Sequence, residues 1–80
     1  MEQNSVQSIE RIVPDTSVII EGLLSDKLRN DHIKCKEIMI HEAVIAELEH
    51  QANSNKAIGF LGLDEIKRIK KLSQEKGFVL

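Results

Sequence analysis

The segment around Pro14 limits most strongly what this chain can fold into. Residues 9–13 are typical of a short strand, and the run stops at Pro14, which cannot donate to a strand ladder and fits only at a strand's end. Asp15, Thr16 and Ser17 follow, and all three are residue types that begin helices. The sequence therefore predicts a strand that leads directly into a helix, which is the repeating unit of α/β proteins.

The rest of the chain continues this alternation. In chain order, we expect a short helix to about residue 25, a turn at residues 30–31, a strand at residues 38–40 and a helix at residues 41–53. A turn at residues 59–62 follows, and then a helix whose apolar stripe spans residues 63–72 and which stops at Gly77. The start of a further strand is expected at residues 78–80. The order β-α-β-α-α-β predicts a parallel sheet of about three strands that is covered by helices.

A sheet of three strands leaves edges and helix faces uncovered, so we expect the chain to be part of a larger domain. Residues 1–9 are predicted to form a flexible leader, and residues 10–80 to form a truncated α/β domain. Exposed apolar stripes and open edges promote association. We therefore expect a homo-oligomer or a partner protein to cover them.

Composition excludes several classes of protein. The 13 acidic residues outnumber the 11 basic ones, and a net charge of −2 is not that of a protein that coats nucleic acid through bulk charge. The single cysteine, Cys35, rules out an internal disulfide and fits a reducing cytoplasm. No apolar run approaches the roughly 20 residues that a membrane span needs. We therefore expect a cytoplasmic location without a membrane partner.

Two acidic residues are the candidate metal ligands. Asp15 follows the first strand, where ligands collect in open α/β sheets, and Glu47 lies on the helix at residues 41–53. Carboxylate oxygens bind Mg²⁺ or Mn²⁺, which commonly serve phosphodiester hydrolysis. Each acid also has a purely structural interpretation, Asp15 as a helix cap and Glu47 as a solvated residue. Glu49 borders the same apolar stripe on the other side, and periodicity does not choose between the two glutamates.

Two further features bear on nucleic acid. Gly59 and Gly62 formally match the GxxG loop of KH domains, but the two apolar residues between them favour a helix cap with a buried tip. Four basic residues follow on the next helix, where they form either phosphate contacts or a solvated face: Lys67, Arg68, Lys70 and Lys71.

Three segments resemble the beginning of a PIN domain: residues 13–22, which open with VPDTS, residues 40–49, which begin the AVIAELEHQAN helix, and residues 59–66. More narrowly, they are similar to the N-terminal PIN domain of archaeal PIN–ATPase–KH proteins. The resemblance runs from about residue 11 to residue 80 and implies part of a three-layer sandwich, with a parallel sheet between helices.

The resemblance also implies a site. PIN domains bind Mg²⁺ or Mn²⁺ with three or four acids, of which Asp15 corresponds to the first and Glu47 to the second. This correspondence favours Glu47 over Glu49 as the second metal ligand. It also implies that the hydroxyl of Thr16 or Ser17 lies near the site. The remaining acids of the family lie on the next helix and after the fourth strand, and we expect both of these elements to follow the segment that this chain represents. We therefore expect a weakly held ion and no catalysis by this chain alone.

The multidomain relatives are nucleic-acid motor ATPases, including some that act on Holliday junctions. The resemblance therefore implies a parent protein that processes DNA or RNA. Two alternatives remain open at this point. In the first, the chain is a catalytically inactive module for oligomerisation or protein interaction. In the second, it belongs to a magnesium-dependent ribonuclease of the toxin type.

Overall fold

The computed structural model describes residues 7–80, which form two strands and four helices. Their bounds are β1 Gln7–Ile12, α1 Thr16–Glu21, α2 Leu23–Arg29, β2 Ile33–Ile38, α3 Glu42–Asn53 and α4 Ala57–Lys76. The strands pair in parallel, with Ile9 opposite Cys35 and Ile12 opposite Ile38. The predicted α/β class and the parallel sheet are confirmed.

The sheet is smaller than the three strands expected. In the described part of the chain it has two strands, and the C-terminal segment adds one parallel bridge between Glu37 and Val79. The Ile38 N–H donates to the Val79 carbonyl at 2.8 Å, and the Val79 N–H donates to the Lys36 carbonyl at 2.9 Å. Residues 78–80 therefore lie beside β2 on the side away from β1.

Both strands begin earlier than expected. β1 starts at Gln7, so residues 7–9 belong to the strand and not to a leader, and the expected leader at residues 1–6 lies outside the described residues. β2 occupies Ile33–Ile38 in place of residues 38–40. Lys34 and Lys36 point to solvent and alternate with half-buried residues, which is the two-residue period of a strand.

The first helical segment is divided at Gly22, which we expected to lie inside one helix. Gly22 adopts φ +76° and donates its N–H to the Ile19 carbonyl, so it ends α1 while α2 begins at the next residue. Positive φ is accessible to glycine without the steric cost that a side chain brings. The break turns α2 onto the sheet, where Leu24 and Leu28 join the core.

The predicted turn at residues 59–62 is wrong. Helix α4 runs without interruption from Ala57 to Lys76, and Gly59 and Gly62 lie buried within it where it crosses α3. The glycines are needed for close helix packing, not for a turn. The KH-like loop is excluded by the same observation, because these residues are helical.

The main core lies between α2, β2, the C-terminal half of α4 and the last residues. Its buried members are Leu24, Leu28, Ile38, Ile69, Leu72 and Phe78. Helices α1 and α3 both pack on α4. Gly77 ends α4 with φ +80°, as expected. Of the helices described, none has both the length and the apolar character needed to cross a membrane.

Candidate functional site

Asp15 lies between β1 and α1 and caps the helix. Its Oδ1 accepts the Val18 N–H at 3.0 Å and the Ser17 hydroxyl at 2.9 Å. Both bonds end on the same oxygen. Because the side chain is also exposed, Asp15 can cap the helix with one oxygen and offer the other to a cation.

The same hydrogen bonds lower the pKa of Asp15. The largest effect comes from the Val18 N–H, and the Ser17 hydroxyl adds to it. Donors that bond to a carboxylate stabilise its charged form. Asp15 is therefore ionised at neutral pH, as a ligand for a divalent cation must be.

The lowered pKa predicts a pH dependence of stability. The contribution of Asp15 to the free energy of unfolding is fully present above the carboxyl's unfolded pKa of about 3.8. It is lost as the pH falls through the lower folded-state pKa. As the pH is lowered from about 5 to about 2.5, we expect the urea concentration at half-unfolding to fall less for Asp15→Asn than for the parent chain. The reason is that asparagine caps the helix without titrating. Asp31→Asn is a useful reference, because hydrogen bonding and attraction from Lys76 also lower the pKa of Asp31. Identical pH profiles for Asp15→Asn and the parent would contradict the prediction.

Glu47 lies on the exposed face of α3, and its Oε2 accepts a hydrogen bond from the Gln51 side chain at 2.8 Å. Glu49 is exposed as well, so exposure does not decide between the two glutamates. Among residues 7–80, no three His, Cys, Asp or Glu side chains form a group that could hold a metal ion. The shared ion of Asp15 and Glu47 stays a prediction.

The two near-site hydroxyls differ in their surroundings. Ser17 donates directly to the Asp15 carboxylate, whereas Thr16 is half-buried at the first position of α1. Of the pair, Ser17 is thus the one that contacts Asp15 in the structure.

The four candidate phosphate contacts also fall into two kinds. Lys67, Lys70 and Lys71 are exposed on α4. The Arg68 guanidinium instead lies against Glu65 one turn earlier, with its Nε donating to Oε1 at 3.1 Å. Their role as phosphate contacts stays a prediction for all four.

Sequence reasoning missed Glu65, whose side chain is fully buried. Its Oε2 accepts the Ser25 N–H at 2.8 Å, and its Oε1 accepts the Ser25 hydroxyl at 2.6 Å. Glu65 thus caps the first turn of α2 from another helix, since Gly22 has no side chain to do so. A signal was present, because Glu65 lies between Gly62 and Ile69 at the spacing of the buried stripe of α4.

A cavity of about 310 Å³ lies between the end of α2, β2 and the C-terminal segment. Its lining includes Leu28 and Phe78, and the Asp31–Lys76 ion pair contributes to it. The half-buried Cys35 also lines it, and burial raises the pKa of this thiol despite the neighbouring lysines. Cys35 is therefore protonated at neutral pH and is a poor nucleophile.

The chain matches no family model, and no solved structure matches it. It is similar to a KH and PIN-domain containing protein of the archaeon Methanocaldococcus jannaschii, with 32% identity over 73 residues. This supports a relationship to PIN-domain proteins. The matched region covers 86% of this chain and 11% of that relative, so the chain spans only a small part of the relative's length.

Proposed function

We propose that this chain forms the N-terminal part of a PIN-like three-layer sandwich, in which Asp15 and Glu47 are two of the carboxylates that bind Mg²⁺ or Mn²⁺. The observation that carries the proposal is the similarity over 73 residues to a protein with KH and PIN domains. Asp15 supports it, because its ionised, exposed carboxylate lies between the first strand and the first helix.

The chemistry of the proposed site follows from the ligands. Two carboxylates supply part of the coordination of Mg²⁺, and water supplies the rest. When bound there, such an ion would polarise a phosphate oxygen and lower the pKa of bound water for phosphodiester hydrolysis. Further acids are needed to fix the attacking water, so this chain alone binds the ion weakly and cleaves little or nothing.

The parent protein in this proposal processes nucleic acid. KH domains bind single-stranded nucleic acid through their GxxG loop, and the relative's name includes such a domain. The finer part of the proposal rests on the resemblance to archaeal PIN–ATPase–KH proteins. It places this segment at the N-terminus of a motor ATPase that acts on DNA, including branched DNA.

The metal site is tested by titrating the chain with Mn²⁺ in a calorimeter. We expect Asp15→Asn and Glu47→Gln each to weaken binding at least about 10-fold, since even indirect partners of a metal ligand contribute 10–100-fold. Asparagine keeps the helix cap, so the first substitution removes the charge and not the helix. The matched control is Glu49→Gln on the same helix, for which we expect a change below about 2-fold.

The pattern across these variants decides the assignment. A loss in Glu49→Gln and none in Glu47→Gln would transfer the role to Glu49. Unchanged affinity in all three variants would show that the ion binds elsewhere and would remove the proposed site.

A second candidate function is association with another protein or a second copy. Ile58, Phe60 and Leu61 are all 40% exposed or more near the start of α4, although they are large apolar side chains. An association module needs no metal. Absence of Mn²⁺ binding in the unaltered chain, together with a molecular mass above 9.1 kDa in solution, would favour this function.

A further inference from the structure

Arg68 is anchored by a buried carboxylate, unlike the neighbouring lysines of α4. Its Nε donates to Glu65 Oε1 at 3.1 Å, and its Nη2 lies 3.1 Å from the same oxygen. The Glu65 side chain is 0% exposed and is itself held by two bonds from Ser25. The inner edge of the guanidinium is therefore fixed to the junction of α2 and α4.

The outer edge of the same guanidinium remains open. The Arg68 side chain is 44% exposed, and Nη1 has no acceptor among residues 7–80. The backbone of Gly22 lies beside it, because a Cβ placed on Gly22 would be 3.6 Å from Nη2. Since glycine has no side chain, nothing from this position covers the guanidinium.

We propose that Arg68 binds a phosphodiester of the nucleic-acid backbone, and that Glu65 acts through Arg68 as a positioning residue. This inference rests on the proposed nucleic-acid function. A guanidinium presents N–H groups in a plane that matches two phosphate oxygens, whereas an ammonium acts as a point charge. Because Glu65 already restricts the Arg68 side chain, less conformational entropy is lost when a phosphate binds.

The position of Arg68 relates it to the candidate metal site. Asp15 caps the start of α1, and Gly22, which lies beside the guanidinium, ends the same helix. A helix of six residues is about 9 Å long. A backbone phosphate on Arg68 is therefore near the helix whose other end carries the proposed metal ligand.

The competing interpretation is that Arg68 only compensates the charge of buried Glu65. The two interpretations predict opposite signs for Glu65→Gln. Removing a negative charge beside a phosphate site strengthens binding if only charge matters. It weakens binding if Glu65 is needed to hold the guanidinium in place.

The experiment measures binding of the whole chain by fluorescence anisotropy, with a labelled DNA duplex of about 20 base pairs and a single-stranded RNA of matching sequence, between about 50 and 200 mM salt. For Arg68→Gln we expect about 5-fold weaker binding or more, and a salt slope that is smaller by about 0.9 on the duplex or 0.7 on the single strand. Lys56→Gln, at an exposed basic residue just before α4 that is not among the four candidate phosphate contacts, is the control and should lose less affinity. The probe with the larger loss identifies the nucleic acid that the surface contacts.

Two further variants separate positioning from charge. Glu65→Gln, measured well below its melting temperature, should bind more weakly than the unaltered chain although its net charge is more positive. Arg68→Lys keeps the charge and loses the planar fork, so it should also bind at least about 3-fold more weakly. This second variant decides the question if Glu65→Gln does not fold.

The outcomes that overturn the inference are distinct from those that overturn the proposed function. If the unaltered chain binds and Arg68→Gln matches it in affinity and salt slope, the inference is wrong and the proposed function stands. Tighter binding by Glu65→Gln, or full affinity in Arg68→Lys, also overturns it. No binding of either probe by the unaltered chain at the lowest salt removes both the inference and the nucleic-acid function.

Discussion

Replacing Gly59 with alanine is expected to remove about 3 kcal/mol from the free energy of unfolding. A Cβ at this position would overlap the Ala52 nitrogen and would lie 2.7 Å from the Leu48 carbonyl oxygen. Both atoms belong to the backbone of α3, so no side-chain rotation relieves the contact and the two helices must separate. Alanine's better helix propensity returns only about 1 kcal/mol. A chain of 80 residues has about 4–12 kcal/mol of stability in total.

The substitution Gly62→Ala offers an internal comparison, because the three atoms nearest its new Cβ all belong to the Leu48 side chain. Shortening Leu48 to alanine costs about 2–5 kcal/mol by itself but removes the clashing atoms. We therefore expect the double variant of Gly62 and Leu48 to be at least about 1 kcal/mol more stable than the sum of the single losses. The corresponding double variant of Gly59 and Leu48 should show much less coupling, since a Cβ at Gly59 clashes with the backbone of α3.

Urea denaturation of each variant provides the measurement, with equal slopes as evidence that the folded state is otherwise similar. The control is Leu61→Ala, which places an alanine on the exposed side of the same helix and should change stability by about 0.5 kcal/mol or less. A Gly59→Ala variant as stable as the control would mean that α3 and α4 are farther apart than the structure places them.

Local signals in the sequence were sufficient for several elements. Pro14 followed by Asp15 predicted the change from strand to helix, and the apolar stripe of residues 41–53 predicted α3, which spans Glu42–Asn53. Gly77 correctly marked the end of α4. In each of these cases the information lies within a few neighbouring residues, because capping and helix periodicity are local properties.

The errors have a common physical cause. Gly59 and Gly62 look like a turn in isolation, and they are helical because the close approach of α3 requires a position without a side chain. The second strand was expected at residues 38–40, and it lies at Ile33–Ile38 because β1 and Val79 satisfy its backbone on either side. Glu65 looks like a surface acid near a helix start, and it is buried because Ser25 and Arg68 meet it there. Each depends on a partner in another element of the fold.

Replacing Glu65 with alanine is expected to cost about 3 kcal/mol or more, comparable to the loss from Gly59→Ala. The carboxylate is fully buried and accepts the Ser25 N–H and hydroxyl, so its removal leaves a buried donor without a partner and a cavity beside it. Arg68 loses its anion, although its own partial exposure lets water replace part of that interaction. The result should be a looser α2, whose first turn has no other side-chain cap.

The adjacent acid supplies a matched control, because Asp64 is exposed on the same helix. Asp64→Ala should change the free energy of unfolding by about 0.5 kcal/mol or less. Ser25→Ala should fall between the two, at about 1–2 kcal/mol, because it removes the hydroxyl and keeps the backbone N–H that Oε2 accepts. Hydrogen exchange at the Ser25 amide reports directly on the cap and should accelerate most in Glu65→Ala.

An apolar replacement tests whether the charge itself stabilises the fold. Buried ion pairs are often replaced by packed apolar residues without loss, so Glu65→Leu would be neutral or stabilising if the site were simply a filled cavity. Here the partner on α2 is a backbone N–H that leucine leaves unpaired, and the serine hydroxyl beside it is buried as well. We therefore expect Glu65→Leu to remain at least about 2 kcal/mol less stable than the unaltered chain. Equal or greater stability in urea would show that Glu65 is not kept for stability. The phosphate-positioning role of Glu65 would then be the remaining reason for a carboxylate at this buried position.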